Sequence, residues 1–157
     1  MEDCRKRPQS HFLRALRSTG RRLFKYCIVS TACLGEHISS QGIPIGQPPG
    51  GHAVYLDARA FRSHIPPQCF PGVALSCKLY LVSVIQSVEI ETLLFGEYTV
   101  MDLVRLTILR RVYTQSHTDY VVEVILEIWK RKVDVCGLKL TYEAPFLRHF
   151  TAKFERL

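Results

Sequence analysis

The chain has no run of about 18 apolar residues, so no segment reads as a membrane-spanning helix. It has no CxxC pair. Cys4, Cys27, Cys33, Cys69, Cys77 and Cys136 stand singly, without the spacing of a disulfide framework or the converging ligand pairs of a zinc site. They read as reduced thiols of a cytosolic-type protein. No Ser-His-Asp set, no H-E-x-x-H and no pair of catalytic carboxylates can be assembled from spacing. The glycine-rich stretch Gly46–Gly51 lacks the lysine and the serine or threonine of a phosphate-binding loop. It lies between two strand-like pieces instead of opening a helix, and therefore reads as a tight turn. Internal repeats are absent, and so is a βαβ rhythm, which excludes solenoids and a doubly wound parallel sheet.

A surplus of positive charge is present but localised. Of the formal net charge of +7, residues 1–25 carry +6, through eight basic residues set against Glu2 and Asp3. The rest is close to neutral, so nucleic-acid binding is not expected, and the basic excess reads as a terminal arm. Hydrophobic residues make up 47% of the chain, enough for a core of one domain.

Periodicity supplies the elements. Phe24, Cys27, Ile28, Leu34 and Ile38 share a helical face within 23–40, and Gly42 is a stop. Residues 52–57 read as a strand and 58–65 as a short helix halted by Pro66 and Pro67. Pro71 opens a second helix with a stripe of Val73, Ala74, Cys77, Leu81 and Ile85. Residues 87–95 read as a strand. Val104, Leu106 and Ile108 alternate with Arg105 and Thr107, which sets Arg105 opposite an apolar face, in a strand that breaks at Arg110 and Arg111. A helix follows with Val121, Val122, Ile125, Ile128 and Trp129 as its stripe, Ser116 and Asp119 as its cap, and Tyr120 and Trp129 as core fillers. Residues 138–142 and 148–155 close the chain as strands, the last displaying His149. The implied fold class is α+β: a mostly antiparallel sheet with helices packed against one face. A guanidinium fixed on such a sheet is suited to gripping a carboxylate through two parallel hydrogen bonds.

Four segments carry a resemblance: PPGGHAVYLDA (48–58), SVEI (87–90), LVRLTILRRVYTQSHTDYV (103–121) and GLKLTYEAPFLRHFTAKFERL (137–157). In this order they are similar to the C-terminal part of tryptophanase and tyrosine phenol-lyase, the β-eliminating lyases that use pyridoxal phosphate. The similarity runs from about Tyr26 to Leu157, while residues 1–25 do not share it. It implies that 26–157 form the small, substrate-closing domain of an aspartate-aminotransferase-like (fold type I) enzyme, acting on L-tryptophan or a related aromatic amino acid. A homo-oligomer or a full-length homologue is the implied protein partner. Carried over position by position, Arg105 matches the arginine that binds the substrate α-carboxylate. His149 stands where tryptophanase has histidine and tyrosine phenol-lyase phenylalanine, with Phe150 beside it. Ile90 replaces the arginine that serves a phenolic group, and Val88 falls along the wall around the substrate ring. These positions resemble tryptophanase more than tyrosine phenol-lyase. The cofactor lysine has no counterpart among Lys25, Lys78, Lys130, Lys132, Lys139 and Lys153. The chain alone is therefore expected to be inactive, either a fragment of the lyase or a non-catalytic partner that docks on a full-length homologue. Glu91 in place of a small residue, and Leu109 in place of a proline, are further departures.

Overall fold

The computed structural model of the protein describes residues 21–96, 99–109 and 112–157. Within them the chain runs α1 (Arg21–Ser40), β1 (Ala53–Asp57), α2 (Ala58–Phe61), α3 (Pro71–Ser83), β2 (Val88–Glu89), α4 (Thr92–Phe95), β3 (Leu103–Thr107), α5 (Gln115–Lys130), β4 (Leu138–Tyr142), α6 (Arg148–Thr151) and β5 (Lys153–Arg156). The basic arm, most of which precedes residue 21, and the break at Arg110 and Arg111 lie outside the described residues.

Two antiparallel sheets form. In the three-stranded one the order is β1-β3-β2, with Tyr55 and Val88 opposite Arg105 on either side of the central strand. Strand alternation sends Val54, Leu56, Val104 and Leu106 to one face, where each is at most 4% exposed. The long helices α1, α3 and α5 cover that face with Leu34, Ile38, Leu75, Leu79, Ile125 and Ile128, so the α+β reading with helices on one side holds. Each such buried aliphatic side chain contributes about 1.5–3 kcal/mol relative to exposure. The second sheet pairs β4 with β5.

Several boundaries differ from the periodicity. Helix α1 ends as expected, with Gly42 left-handed at φ 76° and donating to Ser39 O at 2.9 Å. Its buried stripe is Cys27, Leu34 and Ile38, whereas Ile28 is exposed; the side chain of Phe24 lies outside the described residues. In α3 the buried positions are Pro71, Gly72, Ala74, Leu75 and Leu79, and Cys77 and Leu81 face outward. This helix is apolar on nearly every side, so hydrophobicity alone could not choose its inner face. It stops at Val84, which turns left-handed. The strand expected over 87–95 lasts two residues, because Glu89 accepts the backbone N–H groups of Glu91 and Leu93 and turns the chain into α4. The strand expected over 148–155 begins only at Lys153, since Leu147 adopts a left-handed conformation and starts the single turn of α6. Helix α5 is capped two residues earlier than expected, the Thr114 N–H donating to His117 Nδ1 at 3.2 Å. Trp129 packs edge-on against Phe61 at 4.7 Å, but Tyr120 is half exposed rather than a core filler.

Candidate functional site

Arg105 is held by the middle strand on the face that the long helices leave open. Its Nη2 lies 2.8 Å from His52 Nε2. A guanidinium can only donate, so His52 accepts at Nε2 and carries its ring proton on Nδ1 in this contact. Arg105 Nε is out of water with no partner among the described residues. An orphaned donor of this kind costs about 1–3 kcal/mol, which a ligand oxygen recovers by accepting from it. His52 was missed by the sequence reading. It precedes β1, and only antiparallel pairing, with Ile108 N–H donating to His52 O at 2.8 Å, brings it to Arg105.

Val88 is directly across from Arg105 and half exposed; Ile90 follows on the same edge, its N–H donating to Leu103 O at 3.2 Å. His149 and Phe150 do not sit on a strand. They occupy α6, which packs against α4, the turn that follows Ile90 and Glu91. The two rings meet edge-on at 5.4 Å, Phe150 is 81% exposed, and His149 Nδ1 is buried without a partner among the described residues. The fold thus pairs Val88 with Arg105, and packs the turn that carries His149 and Phe150 against α4, which begins two residues after Ile90. The polar contact of Arg105 is His52, not His149.

Beneath this edge lies a pair of buried carboxyls that spacing did not reveal. Glu89 projects inward between Val88 and Ile90 and is 4% exposed; Asp102, just before β3, is fully buried. The Gly72 N–H at the start of α3 donates to Asp102 Oδ2 at 2.7 Å. A side chain on Gly72 would strike Asp102 and come within 2.7 Å of Glu89 Cγ, so glycine is required by close approach. Asp102 Oδ1 has no donor among the described residues, and the adjoining carboxyl of Glu89 can serve it only through a shared proton. Burial, with the Glu89 charge beside it, pushes Asp102 up to about 6, against the N–H of Gly72 and the more distant Arg59. Burial likewise raises Glu89.

A cavity of about 300 Å³ opens elsewhere, between α1, the end of α3 and the start of α5, lined by Leu34, Ile85, Leu106, Tyr113 and Tyr120. None of Val88, Ile90, Arg105, His149 and Phe150 lines it.

No family model matches the chain. A tryptophanase of Hyphomonas neptunium is 47% identical over 140 residues, covering 85% of this chain and 31% of its own length. A tryptophanase of Salinibacter ruber is 46% identical over 135 residues, with 82% of this chain and 29% of its own covered. A tyrosine phenol-lyase of Symbiobacterium thermophilum is 47% identical over 130 residues, with 78% and 28% covered. The chain is a relative of the tryptophanases and tyrosine phenol-lyases. It spans about 30% of the length of these lyases. Identities to the two kinds of lyase overlap, at 43–47% for tryptophanases and 40–47% for tyrosine phenol-lyases. No described helix is long and apolar enough to cross a membrane.

Proposed function

We propose that this chain forms the small domain of a tryptophanase-like lyase and that Arg105 binds the α-carboxylate of an aromatic amino acid. The observation that carries the reading is the buried, unpartnered Nε of Arg105 on the open face of the sheet, in a relative of lyases named for aromatic amino acids. A carboxylate arriving there takes Nε–H, and the guanidinium keeps His52 on its other side. Val88 and Ile90 would line the side-chain end. Ile90 offers no cation to a phenolic oxygen, and His149 adds a hydrogen-bonding ring at the same end, which favours an indole over a phenol.

Pyridoxal phosphate is the cofactor the family implies. Strands β1, β2 and β3, which frame Arg105, contain no lysine, and of the six lysines named above Lys153 faces Tyr142 and Lys132 faces Trp129. The role assigned here is therefore confined to binding and orienting the substrate. Catalysis by the chain alone is not expected. Phe95, Val100, Phe146 and Phe150 are each at least 70% exposed, and apolar surface of this extent suits a cover supplied by the cofactor-bearing part of the lyase.

The test is binding of L-tryptophan against tryptamine, which lacks the carboxylate. Amide signals of Tyr55, Val88 and Arg105 should move with L-tryptophan and stay still with tryptamine, and Arg105→Gln should abolish the response. Equal responses to both compounds would overturn the reading.

A further inference from the structure

Arg62 and Cys136 form a polar constellation that carboxylate binding does not use. Arg62 closes α2, its N–H donating to Ala58 O at 3.0 Å, and its side chain is fully buried. Nη1 donates to Val135 O at 2.9 Å, while Nε and Nη2 have no partner among the described residues. A guanidinium buried without a counter-charge is costly, and burial pulls Arg62 down to about 10. The one group offsetting that pull is Cys136, next to the carbonyl that Arg62 holds. On the other side Arg156 Nη2 lies 3.5 Å from the Cys136 sulfur. Arg156 therefore meets the half-buried thiol directly, while Arg62 holds the carbonyl of the residue before it.

That thiol opens on a cavity of about 200 Å³, also lined by Ala74, Cys77, Lys78, Leu138 and Arg156. The acid at its rim, Asp134, is engaged by Arg131 at 2.9 Å. Lys78 and Arg156 thus give the cavity a positive wall. Reactive cysteines occupy electropositive, partly exposed surroundings of this kind. Three of the other described cysteines offer a contrast: Cys27 is buried, burial pushes the Cys77 thiol up, and Cys33 meets His37 at 3.6 Å and the Gln115 amide at 3.9 Å.

We propose that Cys136 is a thiol–disulfide exchange site selective for small anionic disulfides, with Arg156 pairing its thiolate, the buried charge of Arg62 behind the neighbouring carbonyl, and Lys78 and Arg156 drawing in the negatively charged reagent. In the exchange the Cys136 thiolate attacks one sulfur of the disulfide. The reagent's S–S bond breaks, its second sulfur departs as a thiolate, and a mixed disulfide remains on Cys136. Cys136 is oxidised as half of the reagent is reduced, so no further oxidant is required.

The experiment treats the full chain with two disulfides, dianionic 5,5′-dithiobis(2-nitrobenzoate) and dicationic cystamine, and maps labelled peptides by mass. Each rate at Cys136 is divided by the rate of the same reagent at Cys33, which cancels intrinsic reactivity. The normalised preference of Cys136 for the dianion should be about tenfold at low ionic strength, and should fall toward unity in Arg156→Ala and at high salt. Arg62→Met should lower it too, but that buried site can fail to fold, whereas Arg156 is exposed and its variant keeps the test decisive. A normalised preference near unity in the unmodified protein, or one that survives both Arg156→Ala and high salt, overturns the proposal. Neither outcome depends on whether Arg105 binds a carboxylate.

Discussion

Replacing Asp102 by asparagine should leave the protein no weaker at neutral pH and relatively weaker in acid, the reverse of what losing a buried carboxylate usually does. Asp102 is raised from an ordinary 3.8 to about 6. Between those values the folded state binds more protons than the unfolded one, so stability falls as pH rises through this window. The contribution is fully present below the unfolded value and lost above the folded one. A shift of this size corresponds to about 3 kcal/mol. Asparagine mimics the protonated acid, with Oδ1 accepting from Gly72 N–H and Nδ2 donating to Glu89 in place of the shared proton. The stability of Asp102→Asn relative to the parent should therefore rise by about 3 kcal/mol from about pH 3 to pH 7. Urea unfolding followed by circular dichroism across that range, comparing midpoints at constant slope, measures the difference. Parallel curves for the two proteins, or a deficit in Asp102→Asn that grows toward neutral pH, would show that no proton is shared between Glu89 and Asp102.

Other outcomes are accessible to the same assay. Gly72→Ala should cost about 2 kcal/mol or more, because the new methyl group meets Glu89 Cγ at 2.7 Å and displaces the Asp102 carboxyl from its N–H partner; a cost below about 0.5 kcal/mol would mean the edge of β2 yields freely. His117→Ala removes the acceptor at the start of α5 and should cost about 0.5–2 kcal/mol, visible as lost helix signal on mild heating. Phe61→Ala, which opens a void against Trp129, should cost about 3–5 kcal/mol and change tryptophan fluorescence. Arg105→Gln should change unfolding by less than about 1 kcal/mol while removing the response to L-tryptophan, which separates a binding role from a structural one.

The alternation of Val104, Leu106 and Ile108 about Arg105, and the stripe of α5, were legible in the sequence because one-sided burial imprints its period on the residues. The same alternation sets Arg105 away from the core. Periodicity failed where a side chain bonds to the backbone close by or where burial is not one-sided. Glu89 turns 87–95 from a strand into α4 by accepting two N–H groups; Leu147 starts α6 by a left-handed conformation that hydrophobicity does not encode; α3 is apolar all round, so no period marks its inner face. The pairings of Arg105 with His52, Glu89 with Asp102, and Arg156 with Cys136 join residues 53, 13 and 20 positions apart. Such partners are chosen by strand pairing and packing. The sequence by itself therefore determined which face of β3 carries the guanidinium, and tertiary structure alone decided which polar groups meet, because buried donors and acceptors must find partners wherever the packed elements happen to bring them.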